Sequence, residues 1–277
     1  VDLALFQTSL ACPIDWLVAR SAPIPVKAAV HIGVSLFNRG LNLTFFDNPE
    51  NLAREAGIQS GEAGERVVMP IGVDDEELYA QPPLSRESFG IPMDATIIGT
   101  LSNHLDRRLT EPYLAAIASV LEARPNAWFL PFGADTIPDK LAFFRARGLD
   151  ARIRFGGPQR KSGAALKMLD IYANEFPVGG SQSVMEAMAC GRPVAALKWS
   201  DAHAESAGAR AVGEPFAILS RDPGAYVRLL LHWVDDANAR AAAGSALLAR
   251  AKAFSARTCV RNVLDRLERL FYTFRSQ

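Results

Sequence analysis

The segment NEFPVGGSQSVMEAMACGRPVAAL, residues 174–197, contains a glycine pair, a helical pattern and a strand-like run in that order. A second strand-like run, DIYA at residues 170–173, comes directly before it. Gly191 is a favoured residue just past a helix end, and Pro193 cannot continue a helix. Strand, glycine turn, helix and strand in succession predict a βαβ unit of a parallel sheet.

The same alternation extends outward from this segment, from about residue 95 to about residue 220. Most of its strand-like runs are continuously apolar, which is typical of parallel strands covered on both faces. They lie at residues 95–101, 127–132, 151–155, 170–173, 193–197 and 216–219. Helical patterns lie between them at residues 112–123, 138–147, 161–168, 183–190 and 201–209. The order predicts an α/β fold with a doubly wound, Rossmann-like parallel sheet, whose ligands bind beyond the carboxyl ends of the strands.

The two ends of the chain differ from this middle part. Three helical patterns follow the last strand, and the third of them is amphipathic and typical of a cover helix. They lie at residues 223–235, 237–253 and 256–274. The first 90 residues are less regular, with a strand at 1–6, helices at 11–21 and 48–57, and a proline-rich connector at 81–92. We therefore expect a partial N-terminal α/β domain at 1–80 with a linker to about 90, a C-terminal ligand-binding domain at 91–255, and a cover helix at 256–277.

Composition limits the classes of partner. The 277 residues carry 30 basic and 30 acidic side chains, so the formal net charge is zero. A neutral chain has no overall field for nucleic acid, although a local patch leaves peripheral membrane contact open. No apolar stretch reaches the 18 residues of a transmembrane helix, and the first residues lack the basic region of a signal peptide. The three cysteines are odd in number and far apart in the sequence, so they do not form the pattern of a disulfide or zinc framework. Cysteines of this kind are typical of a reducing compartment, and we expect a cytoplasmic protein.

The glycine pair and the helix after it have the composition of an anion site. Gly179 and Gly180 lack Cβ atoms, so their backbone can approach a ligand closely. Ser181, Gln182 and Ser183 open the helix, whose N–H groups and dipole can bind a phosphate without a metal. These residues predict a phosphate or diphosphate site at the start of the helix.

Glu186 admits two interpretations. It lies one turn inside the helix, where its carboxylate could accept hydrogen bonds from a ribose diol. Ser183-x-x-Glu186 is also a capping-box pattern, in which Glu186 would only bind the Ser183 backbone N–H. Spacing alone leaves both open. Asp201 and Glu205 have no third ligand at a suitable spacing, so the sequence predicts no metal site.

A known family shares this pattern. PVGGSQSVMEAMACGRPV, residues 177–194, resembles the signature E-x-F-G-x-x-x-x-E-A-M-A-C-G-x-P-V of GT-B glycosyltransferases, especially the family-four (group 1) type. RVVMPIGVDDEELY at 66–79 resembles their interdomain stretch, ATIIGTLSNHLDRRL at 95–109 their first donor-domain strand with its phosphate-contacting loop, and PNAWFLPFGA at 125–134 their second strand. The resemblance implies two Rossmann-like domains with a cleft between them, and it makes residues 91–255 the nucleotide-sugar donor domain.

The resemblance also implies roles for individual residues. Glu186 would hold the ribose. Arg107 or Arg108 matches the family's Lys, and Arg108 is the candidate of the two to neutralise the leaving diphosphate. Asn103 stands where the family has Arg and could donate one hydrogen bond to a phosphate. His104, in the same loop, could contact phosphate or acceptor.

Two further positions follow from the same comparison. Gly133 and Gly157 match the turns against which the nucleotide base lies in the family. Val178 stands where the family has the first Glu of its paired-Glu motif, eight residues before Glu186. That Glu helps to hold the donor sugar, so its replacement puts the sugar and the activity in doubt.

The expected function is that of a hexosyltransferase-type glycosyltransferase. It would move a sugar from a nucleoside-diphosphate sugar, such as a UDP-sugar, to a glycan, lipid or protein acceptor. Retention of configuration and independence of metals and cofactors are carried over from the family, with Arg108 and Glu186 as catalytic residues. Val178 and the short N-terminal part favour the alternative, a non-catalytic nucleotide-sugar-binding or interaction module. No G-x-G-x-x-G follows a first strand and no G-x-x-x-x-G-K-[ST] occurs, which argues against a dehydrogenase and a P-loop ATPase.

Overall fold

The computed structural model describes residues 2–8, 21–31, 41–46, 52–53, 64–69 and 72–276. The chain forms two compact units, Val1–Gly72 with Phe254–Gln277, and Val73–Ala253. The helices predicted at 11–21 and 48–57 lie almost entirely outside the described residues.

The described part of the first unit contains a parallel sheet of four strands. Its strands, which lie side by side in chain order, are β1 (Leu3–Thr8), β2 (Val26–His31), β3 (Leu43–Phe46) and β4 (Glu65–Val68). Leu5 pairs with Ala28, and Ala28 with Leu43, so one register runs across the sheet. The strand predicted near the N-terminus is confirmed as β1.

The helix Ala256–Arg275 returns to this first unit. Its Val263 and Leu267 are buried in one cluster with Ala28, Leu43 and Phe45 of the sheet. An ion pair joins Arg266 of the helix to Glu65 at the start of β4. The helix therefore covers one face of the sheet, as its amphipathic pattern predicted.

The second unit contains a parallel sheet of five strands in the order β6-β5-β7-β8-β9. These strands are β5 (Thr96–Leu101), β6 (Ala127–Phe132), β7 (Ile171–Ala173), β8 (Val194–Leu197) and β9 (Ala217–Ile218). Successive residues of β8 point to opposite faces yet all four are buried, so both faces of the sheet are covered. The doubly wound parallel sheet expected from the sequence is confirmed.

One predicted strand is wrong. Residues 151–155 begin in a 3₁₀ turn, Asp150–Arg152, and only Ile153 bridges to Phe129 of β6. The arginines on either side of Ile153 bind backbone carbonyls instead: Arg152 Nη1 donates to Arg124 O over 2.9 Å, and Arg154 Nε to Phe89 O over 3.1 Å. An apolar residue between two such arginines fixes the segment against the sheet edge without forming a strand.

The helices cover both sheets. Those with both ends among the described residues are, in chain order, α1 (Asp75–Ala80), α2 (Leu105–Arg108), α3 (Glu111–Ala123), α4 (Pro138–Arg145), α5 (Ser162–Met168), α6 (Gln182–Ala189), α7 (His203–Val212), α8 (Pro223–Asp235), α9 (Ala237–Ala251) and α10 (Ala256–Arg275). Helices α3 to α10 overlap the eight helical patterns that the sequence shows from residue 112 onward. The short helices α1 and α2 have no counterpart among them, because one or two turns carry too little periodicity to stand out.

Candidate functional site

A cavity of about 450 Å³ lies within the second unit, beyond the carboxyl ends of β5 and β7. Because β6 lies on one side of β5 and β7 on the other, this is the topological switch point of the sheet. The cavity is lined by Glu77, Leu101, Ser102, Asn103, His104, Arg108, Gln159, Arg160, Lys161, Ser162, Gly180, Ser181, Gln182, Ser183 and Glu186. It thus brings together eight of the residues singled out from the sequence: Asn103, His104, Arg108, Gly180, Ser181, Gln182, Ser183 and Glu186.

Three buried aromatic side chains fix the loop between β7 and α6. Tyr113 Oη donates to the carbonyl of Ala173 over 2.8 Å, and Tyr226 Oη donates to that of Asn174 over 2.9 Å. The ring of Phe176 packs edge-on against both tyrosines, with centroids 5.6 and 5.0 Å away. Burial raises the pKa of both tyrosines well above the usual value, so they remain neutral donors. The loop therefore leaves the sheet on a rigid base.

Helix α6 opens toward the cavity at Ser181. Ser181 is the N-cap, and its side chain makes no capping hydrogen bond within the described stretch 72–276. The α6 dipole and first N–H groups therefore face the cavity wall without a side-chain cap from this serine. The loop before it is tight: a Cβ on Gly179 would stand 2.4 Å from the carbonyl oxygen of Glu175. Gly179 itself does not line the cavity. Its lack of a side chain permits the tight turn that places Gly180 in the cavity wall.

The capping-box interpretation of Glu186 is wrong. Ser183 is the second residue of α6 and not its cap, and its Oγ accepts a hydrogen bond from Tyr172 Oη over 2.8 Å. Glu186 is half-buried in the cavity wall, and its Oε1 accepts from Gln182 Nε2 over 3.2 Å. A carboxylate one turn inside α6 thus faces the cavity and does not cap the helix.

The loop after β5 supplies the cation of this end of the cavity. Leu105 and Leu109 are buried and anchor α2, which turns Arg108 toward the cavity and leaves the side chain of Arg107 84% exposed. The guanidinium of Arg108 lies beside Gly180. Asn103 and His104 of the same loop line the same wall of the cavity. Of the two arginines that the resemblance left open, the structure places Arg108 in the cavity.

Glu175 belongs to the frame of the site and was not singled out from the sequence. It is 1% exposed, its Oε1 accepts from Thr100 Oγ1 over 2.5 Å, and its Oε2 accepts from the Gly180 N–H over 3.5 Å. Burial raises the pKa of its carboxyl, while the Thr100 hydrogen bond and the charge of Arg108 act against that rise. The signal in the sequence was an acidic residue two positions after the end of the apolar strand β7. Val178, in contrast, is 41% exposed.

Gly133 and Gly157 do not line the cavity. The N–H of Gly133 donates to the carbonyl of Gly157 over 2.9 Å, so the two turns are joined to each other. Both have positive φ, 132° and 71°, which explains why glycine stands there. The segment after Gly157 does reach the cavity through Gln159, whose Nε2 donates to the carbonyl of Gly156 over 2.8 Å. Glu77 and residues 159–162 are further cavity residues that the sequence reading did not single out.

No protein-family model and no curated protein matches the chain. Solved structures do match it. Sucrose-phosphate synthase (tll1590) from Thermosynechococcus elongatus aligns over 98% of this chain and 74% of its own, with 15% identity and a TM-score of 0.72. Anabaena Alr3699/HepE in complex with UDP aligns over 96% and 78%, with 18% identity and a TM-score of 0.74. A glycosyltransferase from Rickettsia africae ESF-5 aligns over 98% and 77%, with 13% identity and a TM-score of 0.73.

These neighbours are GT-B glycosyltransferases. The chain has the GT-B fold. The resemblance read from residues 177–194 is thereby confirmed at the level of the GT-B fold, and its family-four part stays a prediction. Within this GT-B chain the cavity belongs entirely to the second unit, Val73–Ala253.

The described residues of this GT-B chain also show which further features are absent from that part. None of the helices there is both long and apolar enough to cross a membrane. No three His, Cys, Asp or Glu side chains come together there as metal ligands would. Asp201 forms an ion pair with Lys198, with Oδ1 and Nζ 2.5 Å apart.

Proposed function

We propose that this chain is a glycosyltransferase that moves a hexose from a nucleoside-diphosphate sugar to an acceptor. The observation that carries the proposal is the cavity at the switch point, where the opening of α6, the guanidinium of Arg108 and the carboxylate of Glu186 share one wall. The fold supports it, and Anabaena Alr3699/HepE of the same fold has been solved with UDP and with UDP-glucose.

The donor would bind by its nucleoside diphosphate. Its phosphates would accept hydrogen bonds from the first N–H groups of α6, where the helix dipole favours negative charge. Arg108, beside Gly180, would add a charge-assisted hydrogen bond. Glu186, one turn further along α6, would accept hydrogen bonds from the ribose diol.

Transfer would break the bond between the anomeric carbon and the diphosphate oxygen. The bonding electrons leave with the nucleoside diphosphate, the acceptor oxygen bonds to the anomeric carbon, and the proton of the acceptor hydroxyl passes to an oxygen of the departing diphosphate. Arg108 and the α6 amides would stabilise the negative charge that develops on the leaving diphosphate. We propose that this needs neither a metal nor a cofactor, that configuration is retained, and that His104 in the cavity wall contacts phosphate or acceptor. The acceptor would be a glycan, a lipid or a protein, and the reaction would take place in the cytoplasm.

The exposed Val178 favours a second candidate, a module that binds nucleotide sugars without transferring them. It leaves the loop without the acidic side chain that the related signature carries at this place. Calorimetric titration with UDP, GDP and ADP, combined with an assay for nucleoside diphosphate released from UDP-, GDP- and ADP-sugars, separates the two. Binding with release supports the transferase, and binding without turnover on any acceptor supports the module. Absence of binding to all three nucleotides contradicts both.

A further inference from the structure

Two adjacent cations in the cavity wall differ in their partners. Lys161 Nζ lies 3.1 Å from Glu77 Oε1 of α1 and forms an ion pair with it. Arg160 is exposed, lines the same cavity, and makes no hydrogen bond, ion pair or ring contact with any described residue. Of these two neighbours, Arg160 is the one whose charge is available to a ligand.

The sign of the cavity's charge depends on Arg160. The lining contains three cations, Arg108, Arg160 and Lys161, against two carboxylates, Glu77 and Glu186. Its formal charge is therefore one positive unit, and it would be zero without Arg160. Arg108 also lies in the field of the buried Glu175, whose pKa its charge helps to lower. Because the whole chain is neutral, attraction of an anion to this cavity must come from such local charge.

The backbone at Arg160 is held on both sides. Gln159 before it is fixed by hydrogen bonds from its Nε2 to the carbonyls of Gly156 and Gly157. Lys161 after it is the N-cap residue of α5 and is tied to Glu77. Arg160 thus projects a flexible side chain from a fixed base at the cavity.

We propose that Arg160 binds the donor diphosphate as a second cation, in addition to Arg108, while Glu77 keeps Lys161 out of that role. A guanidinium can donate two parallel hydrogen bonds to phosphate oxygens, which an ammonium cannot. This inference rests on the proposed function, since it assumes that the cavity takes a nucleoside diphosphate.

Titration of three single variants with UDP and with uridine tests the proposal. Arg160→Ala should weaken UDP binding about tenfold at low salt, because charge-assisted hydrogen bonds are lost. It should leave uridine binding unchanged and flatten the salt dependence of UDP binding. Glu77→Gln should act in the opposite direction and tighten UDP binding about twofold to threefold, since it frees Lys161. Arg107→Ala is the matched control, because it removes an exposed arginine that does not line the cavity. It should change neither UDP binding nor uridine binding.

The outcomes separate this inference from the proposed function. If the wild-type chain binds no nucleoside diphosphate, the proposed function and the inference are both overturned. If the wild-type chain binds UDP and Arg160→Ala binds it equally well, only the inference is overturned. An equal loss for UDP and uridine would also overturn it, because the contact would then be to the nucleoside. Arg160→Lys should recover part of the affinity, which excludes misfolding as the cause of the loss.

Discussion

The guanidinium of Arg108 lies directly against Gly180: a Cβ on Gly180 would stand 2.6 Å from Arg108 Nη1 and 2.6 Å from Ser183 Oγ. The two residues come from different segments, one after β5 and one after β7. Their contact closes the cavity wall at the start of α6 and holds the cation beside the helix opening. The phosphate end of the proposed site is built on this contact.

Gly180→Ala should displace Arg108, because the added methyl group would stand 2.6 Å from both Arg108 Nη1 and Ser183 Oγ. Ser183 is held by the hydrogen bond from Tyr172, so the long arginine side chain is the one that gives way. Both neighbours are side-chain atoms, so the protein should fold and its melting temperature should fall only slightly. UDP binding should weaken markedly while uridine binding changes little, and calorimetry with both ligands measures this. Unchanged UDP affinity would show that the contact has no part in binding.

Arg108→Ala should weaken UDP binding by about 1.5–3 kcal/mol, which is typical of hydrogen bonds to charged groups. It should affect uridine much less, because the nucleoside has no phosphate. Arg107→Ala is the matched control, since its side chain is 84% exposed and lies outside the cavity. Equal losses for UDP and uridine would contradict a phosphate role for Arg108.

Glu186→Ala should weaken nucleotide binding by about 1–3 kcal/mol through loss of a charged hydrogen-bond partner. Since Glu186 does not cap α6, the melting temperature should stay close to that of the wild type. The same titration with a 2′-deoxyribose nucleotide tests the contact to the ribose hydroxyls. The Glu186→Ala variant should distinguish the ribose nucleotide from the deoxyribose nucleotide less strongly than the wild type does. A lowered melting temperature with unchanged binding would assign Glu186 to helix stability alone.

Glu175→Gln should alter how stability depends on pH. Burial raises the pKa of the Glu175 carboxyl, so the folded state binds a proton more tightly than the unfolded state. Folding is therefore penalised as pH rises above the unfolded pKa and through the folded one. Glutamine does not ionise, so the stability of the variant relative to the wild type should increase with rising pH. Chemical denaturation of both proteins from pH 4 to pH 8 measures this, and a difference that stays constant with pH would show that folding does not shift the pKa of Glu175.

Much of the five-stranded sheet of the second unit could be predicted from the sequence because parallel strands that are buried on both faces appear as continuous apolar runs. β5 and β8 were predicted on this basis. Residues 151–155 show the limit of the rule, because the carbonyls bound by Arg152 and Arg154 decide their structure and come from distant segments. Local apolar content does not report such long-range hydrogen bonds.

The sequence predicted those residues of the candidate site that lie together in one continuous motif. Residues 180–183 and Glu186 form such a motif, and the loop of Asn103, His104 and Arg108 follows one strand. Glu77 and Arg160 enter the cavity from segments far away in the chain, and no spacing relates them to the motif. Spacing also could not decide between the two interpretations of Ser183-x-x-Glu186, because the answer depends on where the helix begins, and the structure places the N-cap at Ser181.

A crystal structure of the chain with bound UDP tests the central claim most directly. The account predicts the diphosphate at the opening of α6, within hydrogen-bond distance of the Ser181–Ser183 backbone and Arg108, with the ribose hydroxyls on Glu186. A nucleotide bound elsewhere in the second unit, or an α6 opening filled by protein atoms, would contradict the account.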